Sequence, residues 1–194
     1  MLVILKWIQS IMMALALTAC ASGGGRAVVS TGERYSASQI DEGNYELGSG
    51  DKIRVTVFNE ATLSGEFSVG SEGTVSLPLI GDVVAKGKTP QTLSTEIQTR
   101  LADGYLREPK VNVEVSAYRP FFILGEVKAP GPYPYSSGLT ALNAIATAQG
   151  FTPRADKKRV YIRGGGASFE EAMELSPNLR IKPGDTIRIG ERYF

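Results

Sequence analysis

The hydrophobic pattern of this chain changes character twice. Trp7 to Ala19 reads WIQSIMMALALTA, a nearly unbroken apolar run that ends at Cys20. From Ala21 to about Asn44 the chain is rich in Gly, Ser and Thr and has little periodicity, as expected of a flexible tether. Alternation begins near Tyr45. IRVTVF (53–58) places Ile53, Val55 and Val57 on one face, and KVNVEVS (110–116) sets Val111, Val113 and Val115 against Asn112, Glu114 and Ser116. EFSV (66–69) and TVSLPLI (74–80) read as short strands separated by the turn GSEG. One helix lies between them. Thr89 suits the N-cap and Pro90 the first helical position; Leu93, Ile97 and Leu101 then share a face, and Gly104 supplies the stop. Residues 45–118 are therefore expected to form a small sheet-plus-helix unit.

A second unit is expected over 119–194. FFIL (121–124) is a continuous apolar run, which predicts a strand covered on both sides. GEVKAPGPYPY (125–135) must turn and then extend. LTALNAIATAQG (139–150) predicts a helix with Leu142, Ile145 and Ala146 inward and Gly150 as the residue just past its end. RVYIR (159–163) and TIRIG (186–190) read as strands, GGG (164–166) as a loop tip, and Glu170, Glu171 and Glu174 as a helical turn facing solvent. This order suits a β-grasp, a sheet curled around one helix, and an α+β class for the whole.

The apolar run at the start is 13 residues long. As a helix it would span about 20 Å, short of a hydrocarbon core of about 30 Å. It matches the apolar region of a secretory leader, with Lys6 before it. The closing LTAC resembles the lipobox of bacterial lipoproteins. That resemblance implies removal of residues 1–19, acylation of Cys20, and 20–44 as the tether; the alternative is a buried helix carrying an incidental thiol.

Charge and side-chain inventory narrow the chemistry. Apart from Lys6, cations and anions balance: the whole chain has 21 Lys and Arg against 20 Asp and Glu. A balanced surface argues against nucleic acid as a partner. The chain has no histidine and one cysteine. Imidazole acid–base chemistry, Ser-His-Asp and Cys-His hydrolysis and the usual zinc sites are thereby excluded. Carboxylate-only glycan chemistry stays open, with Glu170, Glu171 and Glu174 as its candidates, but no catalytic residue, metal or cofactor is assigned. LGSGDKIRVTVF and IKPGDTIRIG echo each other; Gly50-Asp51 and Gly184-Asp185 read as turns in which the Asp caps backbone amides, rather than as a catalytic pair. GSG (48–50) and GGG (164–166) lack the following Lys-Ser/Thr of a phosphate loop. Tyr118, Tyr133 and Tyr135, with Phe121 and Phe122, form an aromatic cluster, and PRADKKR (153–159) carries Arg154, Lys157 and Lys158. These tyrosines and cations are candidate glycan or interprotomer contacts; core packing and a solvated face are the alternatives.

YELGSGDKIRVTVF, GTVSLPLIGDVVAKGKTPQTLSTEIQTRL and EPKVNVEVS, placed after a lipobox, resemble the polysaccharide biosynthesis/export domain of Wza-type outer-membrane export lipoproteins. FFILGEVKAPGPYPY, LTALNAIATAQGF, RVYIR and IKPGDTIRI resemble the SLBB (soluble-ligand-binding β-grasp) domain that follows it in that family. AQG (148–150) departs from the family's usual AGG. The resemblance implies a ring of identical protomers moving capsular polysaccharide or exopolysaccharide through the periplasm, docked on an inner-membrane polysaccharide copolymerase. It also implies an outer-membrane anchor through acyl chains on Cys20, since Ala21 is not the Asp of inner-membrane retention. The chain stops at ERYF, so the expectation is a short type in which another protein, such as a separate β-barrel, completes the membrane passage. The competing expectation is a monomeric ligand-binding lipoprotein.

Overall fold

The computed structural model describes residues 29–30 and 45–192. The apolar run, the tether apart from 29–30, and the proposed lipid site Cys20 lie outside the described residues. The first element, β1 (Val29–Ser30), is a two-residue strand.

Alternation builds the first unit. In β2 (Lys52–Val57) every second residue is buried, putting Ile53, Val55 and Val57 inward. It lies between β3 (Gly65–Ser68) and β6 (Val111–Ala117), antiparallel to both. A separate hairpin joins β4 (Thr74–Leu77) to β5 (Gly81–Val84). Helix α1 (Pro90–Ala102) starts where its cap chemistry places it, the Thr89 hydroxyl accepting from the Thr92 N–H at 3.2 Å. Its Leu93, Ile97 and Leu101 close the core formed by the strands. TVSLPLI is not one strand. Pro78 has no N–H for a ladder, Leu79 takes φ 67°, and the chain reverses so that Gly81–Val84 pairs back on β4.

The second unit wraps a sheet about a short helix. Its elements are β7 (Phe121–Gly125), β8 (Gly131–Tyr133), α2 (Ala141–Thr147), β9 (Arg159–Arg163), β10 (Glu171–Glu174) and β11 (Thr186–Ile189). The strand order is β1-β10-β9-β11-β7-β8. β11 runs parallel to β7 and antiparallel to β9. Phe121, Ile123, Val160, Ile162, Ile187 and Ile189 meet Ala144 and Ile145 of the helix in one core. Both units are thus sheet plus helix, the α+β class expected.

Several details differ from the pattern. FFIL is buried on one side only: Phe121 and Ile123 are inaccessible, while Phe122 and Leu124 are 41% and 44% exposed. The helix covers one face of the sheet, so an apolar outer face looked like a doubly buried strand. In α2 the inward residues are Ala141, Ala144 and Ile145, followed by Ala148 at the C-cap; Leu142 is half-buried and Ala146 exposed. Alanine at those positions lets the helix approach the sheet closely. The residue just past this helix is Gln149, at φ 64°, with Gly150 after it: the Gly150 N–H reaches the Ile145 carbonyl and the Gln149 N–H the Ala146 carbonyl. Residues 171–174 are not helical. They form β10, paired with β9, and Ala172 and Met173 are buried there. Val29–Ser30 also departs from the tether reading, pairing parallel with Ala172–Met173. Among the described residues no helix is long and apolar enough to cross a membrane.

Candidate functional site at the junction of the two units

Both Gly-Asp pairs make the same turn. The Asp51 N–H donates to the Gly48 carbonyl at 3.1 Å, and Asp51 Oδ2 accepts from the Gly48 N–H at 2.8 Å. Likewise the Asp185 N–H donates to the Lys182 carbonyl at 3.2 Å, and Asp185 Oδ2 accepts from the Lys182 N–H at 2.8 Å. Gly50 (φ 94°) and Gly184 (φ 82°) supply the left-handed residue each turn needs. One turn launches β2 and the other β11. Each carboxylate is occupied with its own backbone.

Arg119, in the three-residue link between β6 and β7, joins the two turns. Its backbone N–H donates to Asp51 Oδ1 at 2.7 Å and its Nη1 to Asp51 Oδ2 at 2.9 Å. Its Nε donates to the carbonyl of Pro183, in the other turn, at 3.1 Å. The Tyr45 hydroxyl donates to Asp51 Oδ2 at 2.6 Å and accepts from Arg119 Nη1 at 3.0 Å. Asp51, completely buried, thus receives four hydrogen bonds. Burial and the donated bond to Asp51 push the Tyr45 phenol well above its ordinary pKa, so it remains a donor. A Cβ at Gly48 would collide with the guanidinium, and one at Gly184 would lie 2.7 Å from Arg119 Nε. Two glycines shape the slot that holds this side chain.

The candidate tyrosines divide between two jobs. Tyr118 packs edge-on against Tyr45 at 5.0 Å and against Tyr135 at 5.4 Å, adding an aromatic strip from the first unit to the second. Tyr133 stacks on Phe121 at 5.9 Å, and its hydroxyl donates to the Ala129 carbonyl at 2.7 Å, bracing the proline turn. Arg154, Lys157 and Lys158 stand elsewhere, on the loop between α2 and β9. Arg154 pairs with Glu191, and Lys157 Nζ lies 5.9 Å from the centre of the Phe151 ring.

The carboxylates are not gathered for acid–base work. Glu170 pairs with Arg188 at 2.6 Å, and that hydrogen-bonded guanidinium holds its pKa below the ordinary value. Glu171 and Glu174 fall on opposite faces of a strand. Burial raises Asp185 to about 6, against the opposing pull of the Lys182 and Gly165 amides. Among the described residues no group of His, Cys, Asp and Glu could hold a metal ion. Arg119 and Tyr45 escaped the sequence pattern. The only trace of Arg119 was a cation in the short link YRP between two strands, a position that carries no periodicity.

Comparison with known proteins gives this arrangement a family. Residues 39–116 match the model of the polysaccharide biosynthesis/export protein family, and residues 120–174 match the SLBB domain. The exopolysaccharide production protein ExoF of Rhizobium meliloti (strain 1021) is 36% identical over 173 residues, covering 81% of this chain and 40% of that protein. The polysialic acid transport protein KpsD of Escherichia coli is 26% identical over 159 residues, 77% of this chain and 28% of that protein. The chain therefore spans less than half the length of these relatives. With its two matched segments meeting at the Arg119 link, the chain carries a polysaccharide biosynthesis/export domain followed by an SLBB domain.

Proposed function

We propose that this protein is a structural component of the machinery that exports capsular polysaccharide or exopolysaccharide across the outer membrane. In this reading it is anchored by acyl chains on Cys20 and assembles as a ring of identical protomers in the periplasm. The observation that carries the reading is the ordered pair of matched segments, export domain then SLBB domain, joined by a buried hydrogen-bonded clamp. A ring that encloses a conduit needs protomers of fixed shape, and closed symmetry repeats one interface around the circle. Arg119 supports this by tying both units to one guanidinium. The engagement of Asp51, Asp185 and Glu170 supports a non-enzymatic role. The polysaccharide is then the cargo, and an inner-membrane copolymerase and an outer-membrane barrel are the proposed neighbours.

Extracellular polysaccharide in a deletion strain tests the reading. Deletion is expected to abolish it, wild type to restore it, and Cys20→Ser to fail. Detergent-extracted protein is expected to sediment as a closed oligomer. Undiminished polysaccharide together with a protomer-sized particle would overturn the proposal in favour of a monomeric ligand-binding lipoprotein.

A further inference from the structure

The basic loop is built, not merely exposed. Between α2 and β9 the chain is laced to the segment after β11: the Asp156 N–H donates to the Gly190 carbonyl at 2.9 Å, the Arg192 N–H donates to the Arg154 carbonyl at 2.8 Å, and Ala155 bridges to Glu191. Ala155, within the loop, is buried. Between these ties lies a cavity of about 450 Å³ lined by residues of this loop, Pro153 and Ala155 to Arg159, and by Arg192. That volume is in the range of small-ligand sites.

Its electrostatics are one-sided. Four of the lining residues are cationic and one is a carboxylate. Asp156 is already engaged: Oδ1 accepts the Lys158 backbone N–H at 2.9 Å, and Oδ2 accepts Arg159 Nε at 3.3 Å, so this carboxylate and Arg159 offset each other and the excess comes from the remaining cations. Outside the leader the chain has equal numbers of cations and anions, so this excess is a local concentration. Lys157 Nζ lies over the Phe151 ring, 5.9 Å from its centre, which ties that ammonium to a ring packed on the core. A sugar unit bearing a carboxylate or phosphate supplies the negative charge that this cluster of cations complements.

We infer that this cavity is a contact site for acidic glycan, taking sugar units that bear a carboxylate or phosphate. The inference rests on the export reading and names a cargo class for it. A flat membrane surface fits less well, because these cations line a concavity. Exposed lysines make a weak, salt-sensitive site, which suits a polymer that must move on.

The test uses the full-length acylated protein in detergent, immobilised, with polygalacturonate and dextran of matched length as probes at 20 and 300 mM NaCl. Polygalacturonate is expected to bind at least tenfold more tightly than dextran at low salt, and to weaken severalfold at high salt. The variant Lys157→Ala/Lys158→Ala/Arg192→Ala is expected to lose at least fivefold. A control with equal charge loss elsewhere, Lys52→Ala/Lys110→Ala/Lys128→Ala, should change less than twofold. Equal loss in the control would reduce the effect to overall charge and overturn the site. So would equal dextran binding, or binding to phosphatidylglycerol vesicles without binding to the polymer. The two readings fail separately. A deletion strain with unchanged polysaccharide would sink the export role while the binding result stood, and loss of polysaccharide on deletion with no polygalacturonate binding would sink only the cavity.

Discussion

Asp51 and Asp185 occupy the same turn in two different units, and both are buried, 0% and 2% exposed. Each caps the amide three residues back and each precedes a strand with the same Ile-Arg pattern. Their surroundings differ. Asp51 adds a guanidinium, a second backbone amide and a phenol to that cap. Asp185 has backbone amides and feels Arg119 only through space, as the weakest of the influences on it; burial prevails and its pKa rises to about 6. A local motif therefore sets a turn, and the tertiary partner decides what its charge costs. Arg119 makes the pair asymmetric by giving Asp51 two donors and the second turn only a bond to the Pro183 carbonyl.

Removing Arg119 should have the largest effect on the two turns. Arg119→Ala leaves Asp51 buried with its charge partner gone, a loss of about 3–5 kcal/mol. Urea denaturation measures it, and a loss below about 1 kcal/mol would show that the link is not held by this pair. Arg119→Lys keeps the charge without the forked geometry, so it should fall between.

The pH dependence should come next. The folded pKa of Asp185 lies above its ordinary 3.8, so the folded state binds its proton more tightly than the unfolded state. Its contribution to stability is complete below about pH 4 and is lost as pH rises through about 6, a difference on the order of 2–3 kcal/mol. Chemical denaturation at pH 4, 5, 6 and 7 should show this decline on top of the other titrations, and Asp185→Asn should remove it. An unchanged profile in the variant would mean that Asp185 is ionised without penalty.

Gly48→Ala tests the slot around the guanidinium. Its Cβ would displace the guanidinium, costing about 1–3 kcal/mol. In an Arg119→Ala background the same substitution should cost far less, and a double-mutant cycle reads the coupling directly. Equal losses in both backgrounds would place the strain elsewhere. The smallest effect is expected at the end of α2. Gln149 occupies the left-handed position that glycine fills at lowest cost, so Gln149→Gly should stabilise by about 0.5–1 kcal/mol in thermal or urea unfolding.

Much of the fold was readable along the chain because its signals are local. Period-two alternation located β2 and β6 and their buried faces, and Thr89-Pro90 with the Leu93, Ile97, Leu101 stripe located α1. The misreadings share one physical cause. FFIL looks doubly buried, Glu170 to Glu174 look helical and residues 29–30 look like tether because strand pairing and sheet cover are contacts with distant residues. Apolar content alone does not say which side a helix will cover.

The site divides in the same way. The sequence by itself determined the two Gly-Asp turns, since a left-handed glycine and a short acceptor side chain close such a turn without outside help. Folding at long range is what brings Arg119 and Tyr45 to one of those carboxylates and leaves the other with backbone amides. Those partners lie 68 and 6 residues from Asp51, and burial multiplies the strength of whichever charges folding brings together.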